Sequence, residues 1–167
     1  MRIIVKKFYM KIYVFAYGSL LNPKSLQKTL SGNRTTKPMM LLGFQRKINA
    51  LVNGYLYLNI VPRNGKWIPG MLIAVTKEEL EVLKLREPGY DCVDVTDRIE
   101  IPVKGIVYAF IAPDTASPDL KIPRSYLLTC LSGKSEVEKK LWLEETLIEN
   151  EIEEDLDHPV YIHAVTE

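Results

Sequence analysis

The stretch Tyr13-Val-Phe-Ala-Tyr-Gly-Ser-Leu-Leu-Asn-Pro-Lys-Ser25 constrains this chain more than any other. Its apolar run, Tyr13 to Tyr17, has the length and composition of a buried strand. Gly18 interrupts that run. Asn22 has the chemistry of a helix N-cap, and Pro23 follows where a helix tolerates proline best. The pattern predicts a strand, a tight glycine turn and the start of a helix. Such a turn leaves the amides of Gly18, Ser19 and Leu20 free to converge on one point, as a site for an anion or an oxyanion does. The same residues also suit a plain strand-to-helix connection.

A length of 167 residues fits one domain spanning positions 1–167. With 47% hydrophobic and 26% charged residues, the chain has the composition of a globular core with a solvated surface. Lys and Arg number 22 against 21 Asp and Glu, a net charge of +1. That balance argues against nucleic acid or an anionic membrane as partner. No uncharged run approaches the ~20 residues of a membrane helix. The first ten residues carry basic side chains without a sustained apolar stretch after them, so they do not read as a signal peptide. Met10 is an alternative start, which would make residues 1–9 an extra N-terminal segment. Cys92 and Cys130 form neither a disulfide framework nor a metal cluster; two reduced thiols and a cytoplasmic location are expected.

Along the chain, a short helix is predicted from Asn22 to about Leu30. Strands flank Gly43, at Met39 to Leu42 and Phe44 to Ile48, with a bulge or bend between them. Tyr55 to Ile60 is strand-like. Asn64-Gly65, within Pro62 to Lys66, gives the strongest hairpin signal, with Trp67 to Val75 as the returning strand. Thr76-Lys-Glu-Glu79 is a capping box opening a helix that Pro88-Gly89 stops. Tyr90 to Val95, Arg98 to Val103 and Ile106 to Ile111 read as strands. Pro123 starts a helix reaching about Leu131. Ser135 caps another over Glu136 to Asn150, with Val137, Leu141, Leu147 and Ile148 facing inward. The acidic run Glu149 to Asp157 reads as a solvated helix end or loop. Val160 to Val165 is a last strand. Strands without regular βαβ alternation favour an α+β fold with a mixed, barrel-like sheet and flanking helices.

Leu83-Lys-Leu-Arg-Glu-Pro-Gly-Tyr90 is the second informative stretch. Glu87 falls at the end of a predicted helix, where the helix dipole disfavours an anion and raises the pKa of a carboxyl group. That suits a general base, which works best near the ambient pH. Arg86 opposes the shift if it points the same way. The bland alternative is an exposed helix-end glutamate. Ser132-Gly-Lys-Ser135 is no phosphate loop, because position 128 is Leu where a glycine is required and no strand precedes it. A cysteine nucleophile would need a histidine nearby, and His158 and His163 lie late in the chain. Those two histidines face opposite sides of a strand and have no third ligand, so no metal site is expected.

Together the two stretches resemble the gamma-glutamylcyclotransferase-like family. Tyr17-Gly-Ser-Leu20 looks like the family's signature after its first strand. Leu42-Gly-Phe-Gln-Arg-Lys-Ile48 resembles its glycine-aromatic-basic strand, and Pro69-Gly-Met-Leu-Ile-Ala-Val75 the strand before its helix. Glu87 with Tyr90 falls where the family keeps an acidic residue and a following tyrosine. Pro123-Arg-Ser-Tyr126, with Gly133 further on, resembles the late helix that supplies a site tyrosine. Two positions depart from the pattern: Lys84 stands where an Asp is common, and Cys92 where an Arg is common.

The resemblance implies a small barrel-like fold with a cavity at its mouth. It also implies a reaction on a gamma-glutamyl amide, without metal or cofactor. The substrate's α-amine attacks its own γ-carbonyl and releases 5-oxoproline with an amine or amino acid. Glu87 would be the general acid/base. Tyr17, Gly18, Ser19, Leu20, Tyr90 and Tyr126 would bind the substrate. The rival reading is a non-catalytic small-molecule-binding or regulatory domain of the same fold. A transferase passing the acyl group to another amine is a third. Exposed strand edges leave room for a homodimer.

Overall fold

The computed structural model describes residues 10–154. The expected Val160 to Val165 strand and both histidines lie outside them. The chain folds as a mixed α+β structure around one six-stranded sheet. Its strands are β1 (Ile12–Ala16), β2 (Thr36–Val52), β3 (Tyr55–Val75), β4 (Asp91–Asp94), β5 (Ile106–Ile111) and β7 (Thr146–Leu147), in the spatial order β4-β5-β1-β3-β2-β7. A second, two-stranded sheet pairs β6 (Ile122–Pro123) with β8 (Ile152–Glu153). The helices are α1 (Pro23–Gln27), α2 (Lys77–Arg86), α3 (Arg124–Leu131) and α4 (Glu136–Glu144). The larger sheet stays open, with β4 and β7 as its edges, rather than closing into a barrel.

β1 occupies the middle of the sheet, antiparallel to β3 and parallel to β5. Its side chains alternate between two cores, as a strand's period of two requires. Phe15, with Tyr17 just beyond the strand, packs among Leu58, Tyr126, Leu127 and Trp142, on the side of α3 and α4. Val14 and Ala16 pack among Leu26, Leu80, Leu83 and Phe110, on the side of α1 and α2. A strand covered on both faces reads as a continuous apolar run, which is why periodicity marks it so clearly.

The chain reversal between β2 and β3 is at Asn53-Gly54, not at Asn64-Gly65. Asn53 and Gly54 have φ of 49° and 84°, the left-handed pair that a two-residue hairpin turn demands. β3 instead runs on through Pro62 to Lys66. Phe44 pairs with Pro62 and Leu42 with Trp67, so Arg63 to Lys66 all lie opposite the single residue Gly43. The Asn64-Gly65 signal therefore marks a large bulge in a long strand. The bulge expected at Gly43 is present on the partner side of the same irregularity.

The expected capping box at Thr76 forms, and the Ser135 cap proves to be a second one. Thr76 accepts from the Glu79 amide at 3.1 Å while Glu79 accepts from the Thr76 amide at 2.8 Å. Ser135 and Glu138 repeat the pattern at 3.3 and 2.7 Å. Two boundaries differ from expectation. Arg98 to Val103 is not a strand; Thr96–Arg98 is a 3-10 turn followed by bends. α4 ends at Glu144, and the next residues join the sheet edge as β7 beside Arg46 and Lys47. Within α4 the buried residue is Trp142, while Val137 and Leu141 are 69% and 49% exposed.

Gly70 lies where β3 crosses the end of β1. A Cβ there would fall 2.4 Å from the Ala16 carbonyl oxygen and 2.5 Å from Phe15 Cζ. One contact is backbone and the other a packed ring, so neither can yield cheaply. Gly70→Ala should lower the unfolding free energy by about 1–3 kcal/mol. A fall in the urea midpoint at unchanged m-value checks it.

Candidate active site

Beyond β1 the chain turns sharply. Ser19–Leu21 form a single 3-10 turn, closed by the Leu21 amide on the Gly18 carbonyl at 2.9 Å and the Asn22 amide on Ser19 at 3.1 Å. The amides of Gly18, Ser19 and Leu20 precede the first donor of that turn, so its own hydrogen bonds do not use them. Asn22 then caps α1, its side-chain oxygen accepting from the Lys24 amide at 3.0 Å and the Ser25 amide at 3.4 Å. The strand, turn and capped helix are those the residue pattern predicts, although α1 stops at Gln27 rather than near Leu30.

The seven residues singled out from sequence lie together. Tyr17, Gly18, Ser19, Leu20, Glu87, Tyr90 and Tyr126 line one small pocket of about 30 Å³, with Phe15, Ala16, Leu58 and Phe110 completing its wall. Glu87 is the C-cap of α2, and its amide donates to the Leu83 carbonyl at 3.1 Å. Its side chain is 17% exposed. Burial raises the carboxyl above its ordinary pKa, and the neighbouring Arg86, pulling the other way, does not cancel this.

Sequence reasoning missed how Arg86 is held. Its guanidinium donates to the Ser25 carbonyl at 2.7 Å, to Ser25 Oγ at 2.6 Å and to Thr29 Oγ1 at 2.5 Å. Its Nε lies 3.3 Å from Glu87 Oε1. Arg86 thus ties α2 to the α1 segment while it also pairs with Glu87. No local pattern in the chain joins Arg86 to Ser25 and Thr29, which lie far away in sequence.

The tyrosines also have defined partners. Tyr17 donates to the Phe110 carbonyl at 2.5 Å. Tyr90 donates to the Leu58 carbonyl at 2.6 Å, and the Leu58 amide donates to the Tyr126 hydroxyl at 3.1 Å. Two site tyrosines from different elements therefore grip one residue of β3. Leu58 then seats against Gly18: a Cβ there would lie 3.0 Å from Leu58 Cδ2. That contact explains why a glycine follows Tyr17. Leu58 and Phe110 themselves carried no sequence signal beyond strand-like apolarity.

Both cysteines are free thiols. Cys130, on the inner face of α3, is buried, and burial pushes its thiol up to about 12. A thiol with that pKa supplies almost no thiolate nucleophile near neutrality. Cys92 is half-buried and is likewise raised by burial. Among the described residues no group of three or more His, Cys, Asp or Glu comes together, and no helix is long and apolar enough to cross a membrane.

The order of elements around this pocket can be set beside known proteins. The family model described as "Gamma-glutamyl cyclotransferase, AIG2-like" matches residues 14–126. The chain belongs to this family. No curated protein matches the sequence. Among solved structures, one titled gamma-glutamyl cyclotransferase superposes with a TM-score of 0.67 at 13% identity, covering 92% of this chain and 98% of that one. An uncharacterized human protein gives 0.66 at 14% identity over 93% and 98%. A protein of Arabidopsis thaliana, solved in solution, is 26% identical, with a TM-score of 0.53 over 81% and 83%. The first two likenesses speak for the fold, and the matched span runs from β1 to Tyr126 of α3.

The shift at Glu87 has a consequence for stability. A carboxyl whose folded pKa lies above its unfolded value stabilises the fold below the unfolded pKa of ~4.3, and that contribution is lost as pH rises through the folded pKa. Glu87→Gln removes the ionisation. The variant should be more stable than wild type at pH 8, with the advantage fading as pH falls from the raised folded pKa toward ~4.3 and gone below that. Urea unfolding at several pH values checks it.

Proposed function

We propose that this protein is a gamma-glutamyl cyclotransferase that turns a gamma-glutamyl amide into 5-oxoproline and a free amine or amino acid. The observation that carries the reading is that Glu87 lines one pocket with Gly18, Ser19 and Leu20. A largely buried carboxyl whose pKa lies above its ordinary value is a better proton acceptor than a free one.

The reaction is intramolecular, so the first task is to fold a flexible substrate into a near-attack geometry. The substrate's α-ammonium loses a proton to Glu87. The freed nitrogen attacks the γ-carbonyl carbon and forms a tetrahedral oxyanion. The bond from that carbon to the leaving nitrogen then breaks as Glu87 returns its proton to the departing amine, and the ring nitrogen, cationic since the attack, sheds its second proton to solvent to leave the neutral ring amide of 5-oxoproline. The amides of Gly18, Ser19 and Leu20 hold the substrate carboxylate or stabilise the oxyanion. Tyr17, Tyr90 and Tyr126 shape the pocket, and their hydroxyl bonds to Phe110 and Leu58 keep it rigid. The residues assign no metal or cofactor a part.

A pocket of about 30 Å³ has room for one or two waters. A glutamyl group is larger, so the reading requires the 18–21 turn to move outward when substrate binds. The small size of this pocket is also the observation that favours the rival, a non-catalytic small-molecule-binding domain of the same fold. In that case Glu87 would be a ligand-holding or structural carboxylate. A cytoplasmic setting fits the two free thiols under either reading.

The test is 5-oxoproline release from a panel of gamma-glutamyl amides, wild type beside Glu87→Gln. The cyclotransferase reading expects release by the wild type and a loss of about 10²- to 10⁴-fold in the variant. No release from any amide would leave the binding domain. A new amide in place of 5-oxoproline would point to transfer to another amine.

A further inference from the structure

A second cavity borders the first. It has a volume of about 930 Å³ and runs between the α1 segment, the β2–β3 ribbon and α4. Leu20 lines both cavities, so the 3-10 turn is the partition between them. That turn is also the element that the proposed reaction requires to move.

The chemistry of this groove is unlike that of the small pocket. Both tryptophans of the chain, Trp67 and Trp142, line it, together with Leu21, Met71 and Leu141. Trp67 is 55% exposed and Leu141 49% exposed, although each is an apolar residue on a regular element. The charged groups along the wall are mostly engaged within the protein. Arg34 is paired with Glu79, and Arg46 with Glu145. Glu138 serves the capping box of α4. Beside Lys134, what the groove offers a ligand is apolar and aromatic surface at the size of a small-molecule site.

We propose that this groove is the leaving-group subsite, and that the substrates are gamma-glutamyl amides of large apolar, aromatic-bearing amines. This rests on the cyclotransferase reading. When the 18–21 turn admits the glutamyl end, the displaced Leu20 opens the small pocket into the groove. The amide nitrogen then sits at the partition, with the rest of the amine along Trp67 and Leu141. An amine with a cationic tail finds no carboxylate there that the fold does not already use.

The test compares three gamma-glutamyl amides, of methylamine, of 2-naphthylethylamine and of 1,5-diaminopentane. Wild type should cleave the naphthylethyl amide with kcat/KM at least about tenfold above the other two, mainly through KM. In Trp67→Ser, an exposed position, that ratio should fall toward one. Equal use of the three amides, preference for the cationic one, or a ratio untouched by Trp67→Ser would overturn the proposal. If no amide is cleaved, the cyclotransferase reading fails while the groove stays testable by NMR. The chain has two tryptophans, so two indole N–H signals are expected, and Trp67→Ser assigns them. Movement of both on adding 2-naphthylethylamine supports the aromatic-amine site; two unmoved signals overturn it.

Discussion

The contest between burial and the Arg86 guanidinium for the charge on Glu87 governs the candidate site. Arg86 stands beside the carboxylate, and a free guanidinium there would hold it ionised. It is not free. Ser25 and Thr29 take three of its hydrogen bonds and turn it toward the α1 segment. Its ion pair with Glu87 spans 3.3 Å, and desolvation outweighs it. The same arrangement gives Arg86 a mechanical role. It clamps the end of α2 to the helix that follows the glycine turn.

The opposite wall obeys a similar economy. β1 is covered on both faces, so it has little freedom to shift within the sheet. The turn after it inherits that rigidity on one side only. Gly18 is pinned against Leu58, which is gripped through its amide and carbonyl by Tyr126 and Tyr90. The residues from Ser19 to Leu21 are bound by a single 3-10 turn and face a large cavity. Leu20 anchors this turn in the core on the side of α1 and α2, with Leu21 packed against it.

Much of this was legible in residues that act locally. Asn22-Pro23, Thr76 with Glu79 and Ser135 with Glu138 each satisfy orphan amides within a few positions, so their chemistry appears directly in the sequence. The Tyr17 to Leu20 turn and Glu87 were found the same way, and the fold brings all seven selected residues to one pocket. What failed depends on partners far along the chain. Asn53-Gly54 and Asn64-Gly65 are the same dipeptide; only the pairing of Phe44 with Pro62 and Leu42 with Trp67 decides which reverses the chain. Helical spacing suggested that Val137 and Leu141 face inward, yet Trp142 takes the core position and Leu141 borders a groove. The Arg86 anchor and the grip on Leu58 are long-range hydrogen bonds, which no residue spacing encodes.

The most direct measurement is a titration of the Glu87 side chain by carboxyl-carbon NMR in the folded protein. Glu87→Gln would assign its signal. Burial against the Tyr17 to Leu20 turn predicts a midpoint clearly above the ~4.3 of a free glutamate, and a further rise in Arg86→Met. A midpoint at or below the free value would mean that the arginine, not burial, governs the carboxylate. Glu87 would then be a fixed anion and unsuited to carry a proton from one nitrogen to another.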